Sequence, residues 1–421
     1  MRPDLPRRVL MVAFHFPPLA GSSGIQRTLR FVQHLPALGW EPLVLSAQPQ
    51  AYERCSDDLM HEVPPATVVK RAFALDTARH LSIRGRYLGA LGRPDRWTTW
   101  RFDAIRAGMR MIREYRPQAI WSTYPIATAH LIGAELQQRS GLPWIADFRD
   151  PMAQEGYPAD RKTWQQFMAI EGMAMRQAAA CCFTTPGAAR IYRERYPQAA
   201  ARIQVLENGY DEHSFADAAP PGPAEAGPLN QGALTLLHSG IVYPAERDPT
   251  QLFVAMAMLR AAGALRPGAL KVRFRAAVHD DLLRMLAESH GVLDCIELMP
   301  AIGYRQALQE MLRADALLVL QAANCNEQIP AKLYEYLRAR RPIVCLSDPA
   351  GDTVSLLRKA GVGVFSRLDN ATDIAELLAQ FLAARSDQAS FLPSPGFVAG
   401  ASRLARTQAL VSLLDSLPSN S

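Results

Sequence analysis

Along most of the chain, short apolar runs alternate with longer stretches in which apolar residues recur every three or four positions. In the first half the short runs predict strands at 8–14 ("RVLMVAF"), 41–47, 119–124 ("AIWSTY"), 143–148 ("PWIADF"), 180–185 and 203–208. A run that is apolar throughout, like the first of these, suits a strand covered on both faces. Segments of helical periodicity, among them "GIQRTLRFVQHLPALG" and "ATAHLIGAELQQRSG", fall between the strands. Such alternation predicts a parallel sheet with helices on both sides.

The pattern breaks over 216–233, "ADAAPPGPAEAGPLNQGA", which is proline-rich, poor in apolar bulk and without period, as a linker would be. It then restarts, with strands expected at 234–240, 272–278, 295–300, 316–321, 341–347 and 361–366. The expected fold is α/β, with two doubly wound Rossmann-like domains, 1–215 and 234–395, facing across a cleft. Ligands of such sheets bind beyond the carboxyl ends of the strands. The remaining segment, 396–421, holds an amphipathic helix at 401–417, either a simple cap or a brace that packs back on the first domain.

Length agrees with two domains, since 421 residues exceed one ordinary domain. Six cysteines are scattered without CxxC spacing, and Cys181 and Cys182 are adjacent, so reduced thiols in a cytosolic protein are expected. The amino-terminal charge followed by "VLMVAF" has the outline of a signal peptide. That run is short and meets Pro17 and Pro18, so it reads as a buried first strand. No apolar run approaches the roughly 18 residues of a membrane span, and a soluble or peripheral protein is expected.

The net charge of +6 is uneven: residues 1–200 hold 26 Lys and Arg against 17 Asp and Glu. From Arg79 to Arg116 ten arginines face three acids, largely on a predicted helix, "WRFDAIRAGMRMIREYRP". This is either a solvated face or a docking surface for an anionic membrane or a phosphorylated acceptor. Without a recognisable motif or an aromatic-basic platform, nucleic acid is not expected as a partner.

Residues suited to chemistry gather at predicted strand ends. Gly21 and Gly24 flank two serines just before a helix, a loop that is either a plain turn or a place where backbone N–H groups meet a phosphate. His130 follows the strand "AIWSTY", as a core residue or a functional one. "IADFRDP" sets Asp147, Arg149 and Asp150 after another strand, as a structural ion pair or a functional cluster. In "ENGYD" the Asn-Gly pair reads as a turn in which Gly209 can take positive φ. Gly240 ends the strand "LTLLHSG", with Arg247 seven residues on, a pairing that suits a phosphate gripped by a guanidinium. "EQIPAKLYE" places Glu327 before a helix started by Pro330 and Glu335 within it. Carboxylates accept hydrogen bonds from vicinal sugar hydroxyls, and Lys332 adds charge at the positive helix end, where a diphosphate would be held.

Taken in order, "FPPLAGSSGIQR", "IADFRDP", "ENGYD", "GIVYPAERDP" and the glutamate pair in "EQIPAKLYEYLRARRPI" resemble the family-4-like bacterial glycosyltransferases of the GT-B fold, over residues 8 to 385. The resemblance implies a nucleoside-diphosphate-sugar donor, UDP- or GDP-linked, bound by the second domain, and a glycan or lipid-linked acceptor bound by the first. It assigns Glu335 to the nucleotide ribose, Glu327 to the transferred sugar, Arg247 to the diphosphate, Gly21 and Gly24 to the phosphates, and His130 to the donor sugar. It also implies transfer with retention of configuration; fixed cations and helix amino ends would stabilise the departing diphosphate without a metal or other cofactor, and the basic charge of the first domain suggests assembly of surface polysaccharide at the inner face of the membrane. The chain departs from the family pattern at Ile241, where many members carry arginine after the glycine, and Lys332 is the candidate for the missing charge. A nucleotide-sugar epimerase or hydrolase of the same fold, and a non-catalytic nucleotide-sugar-binding protein, are the alternative functions.

Overall fold

The computed structural model of the chain describes residues 6–22, 24–82, 84, 86–218, 227–384 and 388–418. The chain divides into two units, Met1–Asn208 with Arg403–Ser421, and Gly209–Ser402.

In the first unit the apolar runs form β1 (Arg7–Val12), β2 (Trp40–Ala47), β4 (Ala119–Thr123), β5 (Trp144–Arg149), β6 (Ala180–Phe183) and β7 (Ile203–Val205). The sequence reading lacked β3 (Val68–Ala72), because its exposed face carries Lys70 and it breaks the apolar pattern. The strands are parallel and ordered β3-β2-β1-β4-β5-β6-β7. From β1 the chain winds outward to β3, then returns beside β1 at β4 and winds the other way. Cores lie on both faces of the sheet.

The helix Gly24–His34 is tied to that sheet by charge as well as packing. Arg27 donates from Nε and Nη2 to the Asp147 carboxylate on β5 at 2.9 and 2.8 Å, and also reaches the carbonyls of Leu206 and Glu207. Thr123 donates to the same carboxylate at 2.8 Å, and both charged side chains are buried. Asp147 of "IADFRDP" is thus the structural member of its cluster. The helix Arg403–Asp415 also belongs to this unit, with Leu410 and Leu414 buried beside β1 and Asp415 accepting from Trp40 Nε1 at 2.9 Å.

The second unit holds β8 (Leu234–Ser239), β9 (Leu270–Arg275), β10 (Ile296–Met299), β11 (Ala316–Gln321), β12 (Ile343–Ser347) and β13 (Phe365–Ser366). They are parallel and ordered β10-β9-β8-β11-β12-β13, the same winding with its reversal between β8 and β11. Of the expected linker, residues 219–226 lie outside the described residues. Its start, 216–218, is helical instead, within Glu212–Ala218. Tyr210 and Phe215 are buried in the second unit's core, so the division falls at Asn208 rather than at 215. Gly209 does not take positive φ; its hydrogen is required because a Cβ would lie 2.7 Å from the Ala401 carbonyl oxygen.

Truncating Asp147 leaves a buried guanidinium without its counter-charge, so Asp147→Ala should lose about 3–5 kcal/mol in denaturant unfolding. Replacing both partners, Arg27→Met with Asp147→Leu, should lose clearly less. Equal losses would show that the pair contributes packing rather than charge compensation.

Candidate functional site

In the second unit the crevice at the winding reversal is bordered by the ends of β8 and β11. β8 runs buried to Ser239, and Gly240 follows with φ at +138°, its N–H still donating to the Arg275 carbonyl at 2.9 Å. A Cβ at Gly240 would lie 3.0 Å from Cε of Lys332, so the lysine stem crosses directly over the strand end. Any other residue at 240 would meet both an unfavourable φ and that stem.

Lys332 opens the helix Lys332–Ala339, and Tyr336 on its buried side fixes the helix position. The Ser239 N–H donates to the Tyr336 hydroxyl at 2.9 Å. A cation in the first turn opposes the helix dipole, so the ammonium group and the dipole concentrate positive potential in one place. Arg247 lies on the loop after Gly240, donates to the Ile241 carbonyl at 2.6 Å and stacks on Tyr243. Both cations act on His238, buried on β8 two residues before Gly240. Burial, helped by Arg247 and Lys332, pushes its imidazole down to about 4 against the lift from its bond to the Leu318 carbonyl.

The glutamates come from the segment after β11, as Lys332 does. Glu327 lies in the loop after β11, which the buried Gln321 side chain holds by donating to the Cys325 and Gln328 carbonyls at 2.7 and 3.0 Å. The Cys325 thiol is pushed up to about 11 by burial and then by Glu246, with Arg247 opposing and Glu327 adding to the rise. Two bonds stitch this loop to the one after β8: Ala322 N–H to the Glu246 carbonyl at 2.7 Å, and Asn324 to the Ala245 carbonyl at 3.1 Å. Glu335, on the helix and partly buried, accepts from the Tyr304 hydroxyl at 2.9 Å. The structure therefore brings Gly240, Arg247, Lys332, Glu327 and Glu335 to one edge of one sheet. Carboxylates and cations gathered in one place suit a ligand that carries both hydroxyls and phosphates.

In the first unit the corresponding reversal lies between β1 and β4. Gly21, with φ at +79°, is exposed in the loop after β1. Gly24 begins the following helix, and a Cβ there would lie 2.7 Å from both Arg149 Nη1 and His15 Nδ1. His130 is not at this edge. It is 0% exposed, with Nδ1 2.8 Å from the Ser122 hydroxyl and its ring beside Phe148 and Trp144. Burial lowers its pKa to about 4, and the expected contact with a donor sugar is replaced by a role in the core. The histidine at the strand edge is His15.

Sequence reasoning missed Tyr304, Tyr336 and His15. His15 stood in "FHFPP", directly before a loop already singled out. Tyr304 follows β10, also a strand end, whereas nothing in the local pattern separates Tyr336 from its helical neighbours.

No curated protein matches the chain. Residues 23–209 match the family described as glycosyl transferase 4-like domain. Among solved structures, Anabaena HepE in complex with UDP aligns with a TM-score of 0.66 at 14% identity, covering 97% of this chain and 100% of its own. A glycosyltransferase from Rickettsia africae aligns at 0.67 and 11%, covering 99% of each chain. Sucrose-phosphate synthase from Thermosynechococcus elongatus aligns at 0.63 and 14%, covering 97% of this chain and 98% of its own. Residues 23–209, in the first unit, are thus similar to the glycosyl transferase 4-like domain, and the two parallel doubly wound sheets have the GT-B fold of these solved structures.

Proposed function

We infer that the protein transfers a sugar from a nucleoside-diphosphate-sugar, UDP- or GDP-linked, to a glycan or lipid-linked acceptor. The observation that carries this is the Gly240 edge, where Lys332 crosses the strand end and Arg247 and Glu335 flank it. In this reading the second unit holds the donor: Glu335 takes the ribose hydroxyls, Glu327 the sugar hydroxyls, and Lys332 and Arg247 the diphosphate. As the glycosidic bond breaks, negative charge grows on the departing diphosphate while the sugar becomes oxocarbenium-like. Fixed cations and a helix amino end stabilise that charge more than the ground state, which is what accelerates the step. Retention follows if the acceptor hydroxyl attacks the face the diphosphate leaves and gives its proton to a leaving phosphate oxygen. Lys332 takes the place of the arginine absent at Ile241. A donor-binding protein without turnover is the second reading, and Ile241 is the feature that favours it.

The acceptor side rests on the first unit. Arg106, Arg110, Arg113 and Arg116 are exposed on or just beyond the helix Trp100–Tyr115, and Phe102 is 78% and Leu88 74% exposed. Exposed arginines with exposed large apolar side chains suit an anionic membrane surface, and a peripheral enzyme of surface glycan assembly at the cytoplasmic face. Among the described residues, no helix is long and apolar enough to cross a membrane.

Labelled UDP-, GDP- and dTDP-sugars incubated with the protein and a bacterial lipid-glycan extract should pass label to the extract with retained anomeric configuration. Arg247→Ala should lower kcat by about 10²–10³ in a protein that still folds. Conversion of the donor with no acceptor present would favour an epimerase, and a loss below about threefold would remove Arg247 from its role. The protein should also sediment with phosphatidylglycerol vesicles at low salt and be released by high salt. Equal binding to phosphatidylcholine vesicles would count against the basic surface.

A further inference from the structure

A glutamate on a helix turns about several bonds, so Glu335 has no fixed direction of its own. A second element of the fold supplies one. Tyr304 opens the helix Tyr304–Arg313 just beyond the carboxyl end of β10, and its hydroxyl donates to Glu335 Oε1 at 2.9 Å. In the sheet β10 is the outermost strand, with β9 and β8 between it and β11, so this helix carries Tyr304 back towards the segment that follows β11.

The helix that presents Tyr304 is held by charge. Arg275, at the end of β9, donates from Nε and Nη2 to the Glu310 carboxylate at 2.8 and 2.6 Å, and from Nη1 to the Pro300 carbonyl at 2.7 Å. Arg273 reaches the same carboxylate at 3.0 Å, and both Arg275 and Glu310 are buried. The Arg275 carbonyl in turn receives the Gly240 N–H at 2.9 Å. One residue thus ties together the Gly240 edge, the loop after β10 and the helix that carries Tyr304. On the other side of the bond, Tyr336 beside Glu335 accepts from the Ser239 N–H at 2.9 Å. The helix bearing Glu335 and the Glu335 side chain are therefore held by two different tyrosines.

The bond from Tyr304 does little for folding. Tyr304 is 42% exposed and Glu335 only partly buried, and a bond that water can replace adds little to stability. Its effect is direction. A fixed donor orients a carboxylate without filling its about four acceptor positions, and a side chain ordered before binding loses no rotamer freedom on binding.

We propose that Tyr304 is a positioning residue, which holds the Glu335 carboxylate ready for the ribose 2′- and 3′-hydroxyls and so sets a preference for ribonucleotide over 2′-deoxyribonucleotide donors. The proposal rests on the reading that Glu335 takes the ribose. A carboxylate held for two hydroxyls loses a bond when the 2′-hydroxyl is missing and cannot turn to replace it. Released from Tyr304, it can turn, and the preference narrows.

Calorimetric titration of the full chain and of Tyr304→Phe with UDP and 2′-deoxy-UDP tests this, with GDP and 2′-deoxy-GDP as the pair if guanine is the base bound. The native protein should prefer the ribonucleotide by about tenfold or more, the strength of a hydrogen bond to a charged group. In Tyr304→Phe, which keeps the ring, the preference should narrow by about threefold or more through weaker ribonucleotide binding. Thermal unfolding of the variant without ligand should match that of the native protein. A preference that survives undiminished in Tyr304→Phe overturns the proposal and leaves the ribose reading standing. Equal loss of both nucleotides in the variant also overturns it, since the hydroxyl would then touch the ligand away from the 2′ position. Equal binding of both nucleotides by the native protein, or no nucleotide binding at all, rejects the ribose reading and the proposal with it.

Discussion

Parallel strands need a crossover for every connection, and a sheet begun at a central strand must reverse its direction of winding once. At that reversal the helices leave the strand ends to opposite faces and a crevice opens between neighbours. Both units obey this constraint, one between β1 and β4 and the other between β8 and β11. The positions with unusual demands collect there. Gly240 must accommodate a lysine stem, Gly24 must accommodate a guanidinium and an imidazole, and Arg149 takes a left-handed backbone. None of these features helps the sheets to fold. They make sense as the cost of presenting charge at a strand edge.

Charge within the scaffold and charge at the edges are treated differently. Arg27 is bound on two sides by Asp147 and capped by carbonyls, and Arg275 meets Glu310 at 2.6 Å in the second unit. These cations are neutralised by their own fold. Arg247 instead spends its contact on a backbone carbonyl, at 2.6 Å, and among the described residues forms no ion pair. A carbonyl orients a guanidinium without cancelling its charge, which leaves the field available to an anion. Tyr336 has the matching task for Lys332, holding its helix to the end of β8 through one hydrogen bond.

Much of the fold was legible because buried parallel strands are apolar throughout and their helices are periodic. β3 escaped because Lys70 interrupts the run, and the helix Glu212–Ala218 because its seven residues are too short to show a period beside a proline-rich stretch. The edge residues of the second unit stand out in the sequence as two compact groups, Gly240 with Arg247 and Glu327 with Lys332 and Glu335, each at a strand end. Those of the first unit do so less. His15, Gly24 and Arg149 meet from segments more than a hundred residues apart, and only a bulge in β5 explains why Arg149 turns towards Gly24. His130 misled because a histidine in a helix just after a strand looks the same in sequence whether it faces the crevice or, as here, lies in the core between helix and sheet. Gly209 misled because a missing Cβ can serve close approach as well as positive φ.

The central claim is that the Gly240 edge of the second unit holds a nucleoside diphosphate, with Glu335 on the ribose. Thermal unfolding of the protein and of Glu335→Ala against UDP, GDP, dTDP and NAD tests it most directly. A ligand at about 100 times its Kd adds about 2.7 kcal/mol to the folded state. The account predicts stabilisation of the native protein by one nucleoside diphosphate and not by NAD, with the shift lost in the variant. No shift with any nucleotide in a folded protein, or a shift that survives unchanged in Glu335→Ala, would contradict it.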